Sequence, residues 1–106
     1  MSTTMTGCEH LVVTVKLDGK TTRAMIDSGA QGNYISPNLV NRFQLPWNKK
    51  DEPYRLRTVE GELVEYGQGE VNMETAQLPT LIAGKIHHLR FDITAISKYD
   101  IILGIP

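Results

Sequence analysis

The chain has almost no cysteine: Cys8 is the single one in 106 residues. An internal disulfide is therefore excluded, and a reducing compartment fits. It has no long apolar run. The longest, around residues 11–15 and Ile101–Leu103, are far too short to cross a bilayer as a helix. There is no excess of charge of either sign. Formal net charge is −1, and the lysines and arginines are scattered, so neither a nucleic-acid footprint nor a membrane-surface helix is expected. The start, Met1-Ser2-Thr3-Thr4-Met5-Thr6-Gly7, lacks the basic and apolar regions of a signal peptide. Residues 1–8 read as a flexible leader, and an intracellular, cytoplasmic protein is expected.

What is present is an ordinary globular composition, with 41% hydrophobic and 22% charged residues. The length allows one small domain, taken as residues 9–106, and association is a reasonable way for it to gain stability. Leu11, Val13, Val15 and Leu17 alternate on one face of a strand. Asp18-Gly19 then supplies a tight hairpin turn, and the chain returns through residues 20–26, ending in the apolar, buried run Ala24-Met25-Ile26. Asn33-Tyr34-Ile35 reads as a short strand. Ser36-Pro37 opens a short helix, with Leu39, Val40 and Phe43 on its apolar side and Pro46 ending it. Residues 46–53 read as a polar loop. Further strands are expected over 54–59, 63–71, 80–82 and 86–93, with turns at Glu60-Gly61 and Ala83-Gly84-Lys85. Gly67 and Gly69 mark a bulge or bend on the returning arm. Ile101-Ile102-Leu103-Gly104 reads as a buried strand closing at a glycine. The pattern is all-β with one short helix.

One tripeptide carries chemistry. Asp27-Ser28-Gly29 interrupts the apolar strand and is followed by Ala30 and another strand. Aspartate, serine and glycine are also the usual turn formers, so a surface turn is the plain alternative. The apolar surroundings, however, place the carboxylate in a poorly solvated position, which is costly unless it is paired or protonated. Other clusters are weaker. Cys8-Glu9-His10 and His87-His88 match no zinc spacing, and Gly67-x-Gly69 precedes no phosphate-cradling helix. No metal or cofactor is called for. Asp100 reads as a structural, hydrogen-bonding residue.

The string Ala24-Met25-Ile26-Asp27-Ser28-Gly29-Ala30 resembles the signature of retropepsins, the aspartic proteases of retroviruses and LTR retrotransposons. Ile101-Ile102-Leu103-Gly104 matches the second family mark, an apolar run ending in glycine. The ending Tyr99-Asp100-Ile101-Ile102-Leu103-Gly104-Ile105-Pro106 is most similar to gypsy-type retrotransposon proteases. The resemblance implies a closed β-barrel that works as a homodimer, cleaving a Gag-Pol-type polyprotein in the cytoplasm or within virus-like particles. It implies that Asp27 is the catalytic carboxylate, with Ser28 holding the two halves of the site together and Gly29 and Ala30 supporting it. Val59-Glu60-Gly61-Glu62 would be the flap over bound peptide, and Leu103-Gly104 the closing loop. Because the chain carries one Asp-Ser-Gly, the second carboxylate would come from a second copy. The family continues past this glycine into a helix and a strand not found in this sequence, which reads either as a fragment cut from a polyprotein or as a natural form with a reduced interface. Asp27 through Gln31 also fits the Asp-Ser-Gly-Ala-Gln of the DNA-damage-inducible ubiquitin-shuttle family, and the same fold could serve as a non-catalytic dimerisation or peptide-binding module.

Overall fold

The computed structural model describes residues 11–27, 30, 32–56, 69–95 and 99–104. The expected leader, Ser28, Gly29 and the expected flap Val59-Glu60-Gly61-Glu62 lie outside the described residues.

Strands β1 (Leu11–Leu17) and β2 (Lys20–Ile26) form an antiparallel hairpin in which Leu17 faces Lys20. Asp18 and Gly19 adopt φ of 52° and 83°, the double positive pair that matches a two-residue turn to strand twist. Val15, Leu17, Ala24 and Met25 are buried, as expected. Leu11 is not: it is 62% exposed, because the core cluster reaches Val13 and Ile26 and stops short of it. After β3 (Tyr34–Ile35) comes the helix α1 (Pro37–Phe43). Ser36 caps it, accepting from the Leu39 N–H at 3.1 Å, and Pro37 sits in the first turn where no N–H is needed. The helix stops at Gln44 rather than at Pro46. Gln44 turns left-handed, with φ 54°, and directs its N–H back to the last carbonyls.

The polar loop expected over 46–53 is instead a strand, β4 (Trp47–Arg55), paired antiparallel with β5 (Glu70–Thr75). Its side chains are polar because it is the terminal strand of the sheet, mostly exposed, with no alternation to betray it. Its register shifts between Lys49 and Tyr54, and this irregularity accommodates Pro53. On the returning arm Gly69 bends at φ 82°, as expected, while Gly67 lies outside the described residues.

β6 (Leu78–Ile82) and β7 (Lys85–Leu89) form the third hairpin, turning at Ala83 and Gly84 with φ of 50° and 82°. The single strand expected over 86–93 breaks after Leu89. The chain leaves β6 there and resumes as β8 (Asp92–Ile93), after reciprocal bonds between Phe91 and Thr75: the Thr75 N–H donates to the Phe91 carbonyl at 2.8 Å, and the Phe91 N–H to the Thr75 hydroxyl at 3.1 Å. Alternation survives the break, with Phe91 and Ile93 buried and Arg90 exposed. β9 (Ile101–Leu103) is the last strand among the described residues, and Gly104 follows it.

Among the described residues, nine strands join one sheet in the order β4-β5-β8-β3-β9-β2-β1-β6-β7. It curls as a half-barrel around a core containing Leu17, Ile35, Leu39, Phe91, Ile101 and Leu103. Met25, Tyr34 and Ile102 point the other way and form a second, smaller cluster. That parity follows from the period of two along a strand.

Candidate active site

The site is built where β9 inserts between β2 and β3. It runs parallel to β2, with Met25 facing Ile102 and Ile26 facing Leu103, and antiparallel to β3, with Tyr34 facing Ile102 and Ile35 facing Ile101. The connection from β2 to β3 therefore begins and ends on opposite sides of β9. Asp27 opens that connection. Its N–H donates to the Leu103 carbonyl at 2.9 Å, extending the ladder by one bond, and its carbonyl accepts from the Ala30 N–H at 3.0 Å. The backbone of Asp27 is thus held on both sides.

Gly104 explains why the closing run ends in glycine. A Cβ built there would lie 2.5 Å from the Gly32 carbonyl oxygen and 2.6 Å from that of Ala30. Both are backbone atoms of the Asp27 connection, so no side chain fits. The Gly104 N–H also donates to the Asn33 side-chain oxygen at 3.1 Å. Leu103 and Gly104 are thus packed directly against the loop that carries Asp27. Asn33, which the sequence reading took only as the start of a strand, is the side chain that ties the two together.

By alternation Asp27 falls on the same face as Met25, opposite the main core. On this face lie Met25, Tyr34 and Ile102, with Ala30, Leu56 and Tyr99 packed against them. In the single chain Asp27 is exposed, which corrects the expectation of a poorly solvated carboxylate. The apolar residues before it are buried on both faces of β2, but the described residues of one chain do not cover Asp27 itself.

Asp100 has the structural role expected. It accepts from the Ser36 hydroxyl at 2.7 Å and meets Arg42 at 3.5 Å, fixing the start of α1 to the entry of β9. His87 and His88 are exposed on the edge strand β7.

A second polar assembly was not foreseen from sequence. Lys50 on β4 donates to Asp92 at 3.0 Å and to Glu74 at 3.2 Å. The Tyr54 hydroxyl donates to the other Asp92 oxygen, and the hydroxyls of Tyr34 and Tyr54 hydrogen-bond to each other. Burial, then the hydrogen bond to Asp92 and its charge, push the Tyr54 hydroxyl far above the ordinary tyrosine range. Burial likewise raises Tyr34, against the opposing bond from Tyr54. For Lys50, burial pulls downward, but the bonds to Asp92 and Glu74 and their charges outweigh it and leave the ammonium raised.

Residues 23–106 match the family described as the PEG10/RTL1 protease domain. The fold is similar to that of EIAV protease, solved in complex with the inhibitor HBY-793. The TM-score is 0.66 at 17% identity, covering 95% of this chain and 86% of that one. It is also similar to the retroviral protease-like domain of Ddi1 from Leishmania major, with a TM-score of 0.60 at 19% identity over 91% of this chain and 72% of that one. At these identities the likeness is one of fold. The family match, spanning most of the sequence on a retropepsin-like fold, shows that the chain belongs to the PEG10/RTL1 protease domain family.

Proposed function

We propose that this chain is one half of an aspartic endopeptidase, with Asp27 as its catalytic carboxylate and a second copy supplying the other. The observation that carries this reading is the setting of Asp27. Its backbone is fixed by Leu103 and Ala30, it lies on the face that carries an apolar patch, and it is exposed where another molecule can reach it. Two such carboxylates brought to roughly 3 Å across a two-fold axis share one proton. The ionised member takes a proton from a water held between them, and the protonated member polarises the scissile carbonyl. The titration then belongs to the pair. In this arrangement the Ser28 hydroxyl ties the two halves together, Gly29 lets backbone approach the carboxylates, and Val59-Glu60-Gly61-Glu62 closes over an extended peptide.

The substrate class is a polypeptide, proposed to be a Gag-Pol-type polyprotein processed inside the cell, in the cytoplasm or within virus-like particles. Membership of a family of domesticated gypsy-type proteases supports this over the ubiquitin-shuttle alternative, for which the likeness to Ddi1 speaks through fold alone. The test is cleavage of a peptide mixture at mildly acid pH across a dilution series. Specific activity is expected to rise with protein concentration, and Asp27→Asn to lower it by about 10²–10⁴-fold. Equal cleavage by the variant, or activity linear down to very dilute enzyme, refutes the reading.

A further inference from the structure

Strand β7 closes one end of the sheet, and among the described residues no strand pairs with its outer side. All five of its residues pair in unbroken register with β6. The two-residue turn at Ala83 and Gly84 closes on Ile82 and Lys85, which makes that pair hydrogen-bonded. Bonded and unbonded pairs then alternate along an antiparallel ladder. Lys85, His87 and Leu89 therefore direct their backbone groups to β6, and Ile86 and His88 turn theirs outward. Pro79, opposite His88, has the matching parity: it has no N–H, and its carbonyl accepts from Asp18 on the β1 side at 2.9 Å. At the other end of the sheet, β4 is blunted by Pro53 and by the register shift between Lys49 and Tyr54. β7 carries neither device, and its Ile86 stands 64% exposed opposite the half-buried Leu81.

We propose that β7 is a docking edge for an acidic, extended peptide, which joins the sheet as a further strand through the outward N–H and C=O groups of Ile86 and His88. Charge selects the occupant. From Leu78 to Arg90 the sequence has no aspartate or glutamate, although the whole chain has a net charge of −1. Along the edge, Lys85 and Arg90 are cationic, His87 and His88 carry N–H donors, and all four are exposed. Behind them, β6 and β1 add Lys16 and no acidic residue; Asp18, bonded to Pro79, lies behind β6 rather than on the edge. A second copy pairing edge to edge would bring two such strands of like charge together, a common way of keeping an exposed edge from self-association. The same cations attract a strand whose alternate residues are carboxylates. Main-chain bonds supply the affinity, cover over Ile86 adds apolar burial, and the carboxylates set the preference. β7 lies three strands along from β2, which leads into Asp27, so the two sites are separate and this inference stands apart from the protease reading.

The test titrates a fluorescent, end-capped Glu-Val-Glu-Val-Glu-Val peptide into the native chain and into Asp27→Asn, with Lys-Val-Lys-Val-Lys-Val as the control. The acidic peptide is expected to bind about tenfold or more tighter than the control, equally in both chains, and to weaken as salt is raised to about 0.5 M. Amide hydrogen exchange places it: the N–H groups of Ile86 and His88 slow on binding, while those of Lys85 and His87, already bonded to β6, change little. His88→Pro removes an outward N–H and leaves the β6 ladder whole; Lys85→Glu combined with Arg90→Glu reverses the charge and leaves the backbone intact. Each is expected to weaken binding by about tenfold or more. Thermal unfolding checks that both variants fold, and the charge reversal alone decides the matter if the proline variant does not. No binding of the acidic peptide, equal binding of the lysine peptide, or unchanged affinity in the charge-reversed chain overturns the proposal. So does slowed exchange at Ile86 and His88 that grows with protein concentration and needs no peptide, since a second copy is then the occupant.

Discussion

Replacing Gly104 by alanine tests the interlock on which the site depends. The added Cβ would stand 2.5 and 2.6 Å from the carbonyl oxygens of Gly32 and Ala30, against an ordinary contact of 3.4 Å or more. The overlap approaches 1 Å on two fronts, and neither oxygen belongs to a side chain that could swing aside. Relief requires the connection itself to move, straining the Asp27 and Ala30 bonds and the Gly104–Asn33 bond. Overpacking of this kind costs about 1–3 kcal/mol, and rigid backbone on both sides places this case near the top of that span. For a domain of this size the thermal midpoint should fall by roughly 10–20 °C. A shift of Asp27 by even half that overlap should cost about tenfold or more in kcat/KM, since about 1 Å of misplacement costs ~10²-fold. Calorimetry at fixed protein concentration and peptide cleavage give the two readouts. Gly19→Ala is the control: its φ of +83° carries a strain of about 1–2 kcal/mol, but nothing lies within 4 Å of the new atom and Asp27 is untouched. Gly104→Ala melting within about 2 °C of the native chain and cleaving at the native rate refutes the packing argument.

Two further outcomes follow from the polar contacts. Ser36→Ala removes both the cap on the Leu39 N–H and the donor to Asp100, and urea unfolding should show a loss of about 1–2 kcal/mol. Asp100→Asn keeps an acceptor for Ser36 and sacrifices only the contact to the exposed Arg42, so it should cost less than about 1 kcal/mol; the reverse order contradicts the assignment. The second outcome is alkaline sensitivity. Tyr34, Tyr54 and Lys50 all hold their protons more tightly folded than at the ordinary values of 10.0 and 10.5. Above those values the unfolded chain binds fewer protons than the folded one, so this stabilisation is complete below about pH 10 and drains away as pH rises, at up to ~1.4 kcal/mol per pH unit for each group. Denaturant titrations between about pH 9 and pH 12 should show stability falling, and falling less steeply in Tyr54→Phe; a native curve that stays level contradicts the sign.

What the sequence showed of this fold was what local chemistry decides. Asp18-Gly19 turns because both residues tolerate positive φ, Ala83-Gly84 turns on the glycine with Ala83 drawn to φ 50° beside it, and Ser36-Pro37 starts a helix because one caps and the other needs no N–H. Asp27 and Gly104 were legible as a pair of motifs, although the reason for the glycine, two backbone oxygens against its Cα, was not. β4 was missed because it is a mostly exposed terminal strand whose polar side chains mimic a loop. The break between β7 and β8 was missed because alternation runs unbroken through it while the pairing partner changes from β6 to β5 and β3. The Tyr34–Tyr54–Asp92–Lys50 assembly had no sequence signal at all. Its members come from β3, β4 and β8, which meet only through the order of the sheet.

The same distinction explains why the site is held so firmly by such a short element. β9 contributes three residues, yet both of its edges are paired, one to β2 and one to β3, and its outer neighbours Ile101 and Leu103 face the core while Ile102 faces the patch beside Asp27. Without it, the facing backbone groups of β2 and β3 would be left without partners in a buried setting, which folded proteins rarely tolerate. The Asp27 connection therefore takes its shape from residues more than seventy positions later in the chain, with Met25 paired to Ile102. Ordering contacts of such sequence separation carries a loop-closure cost that only the assembled sheet repays. The Asp27 motif and the closing glycine are thus two halves of one structural element. Neither fixes the position of the carboxylate until the other is in place.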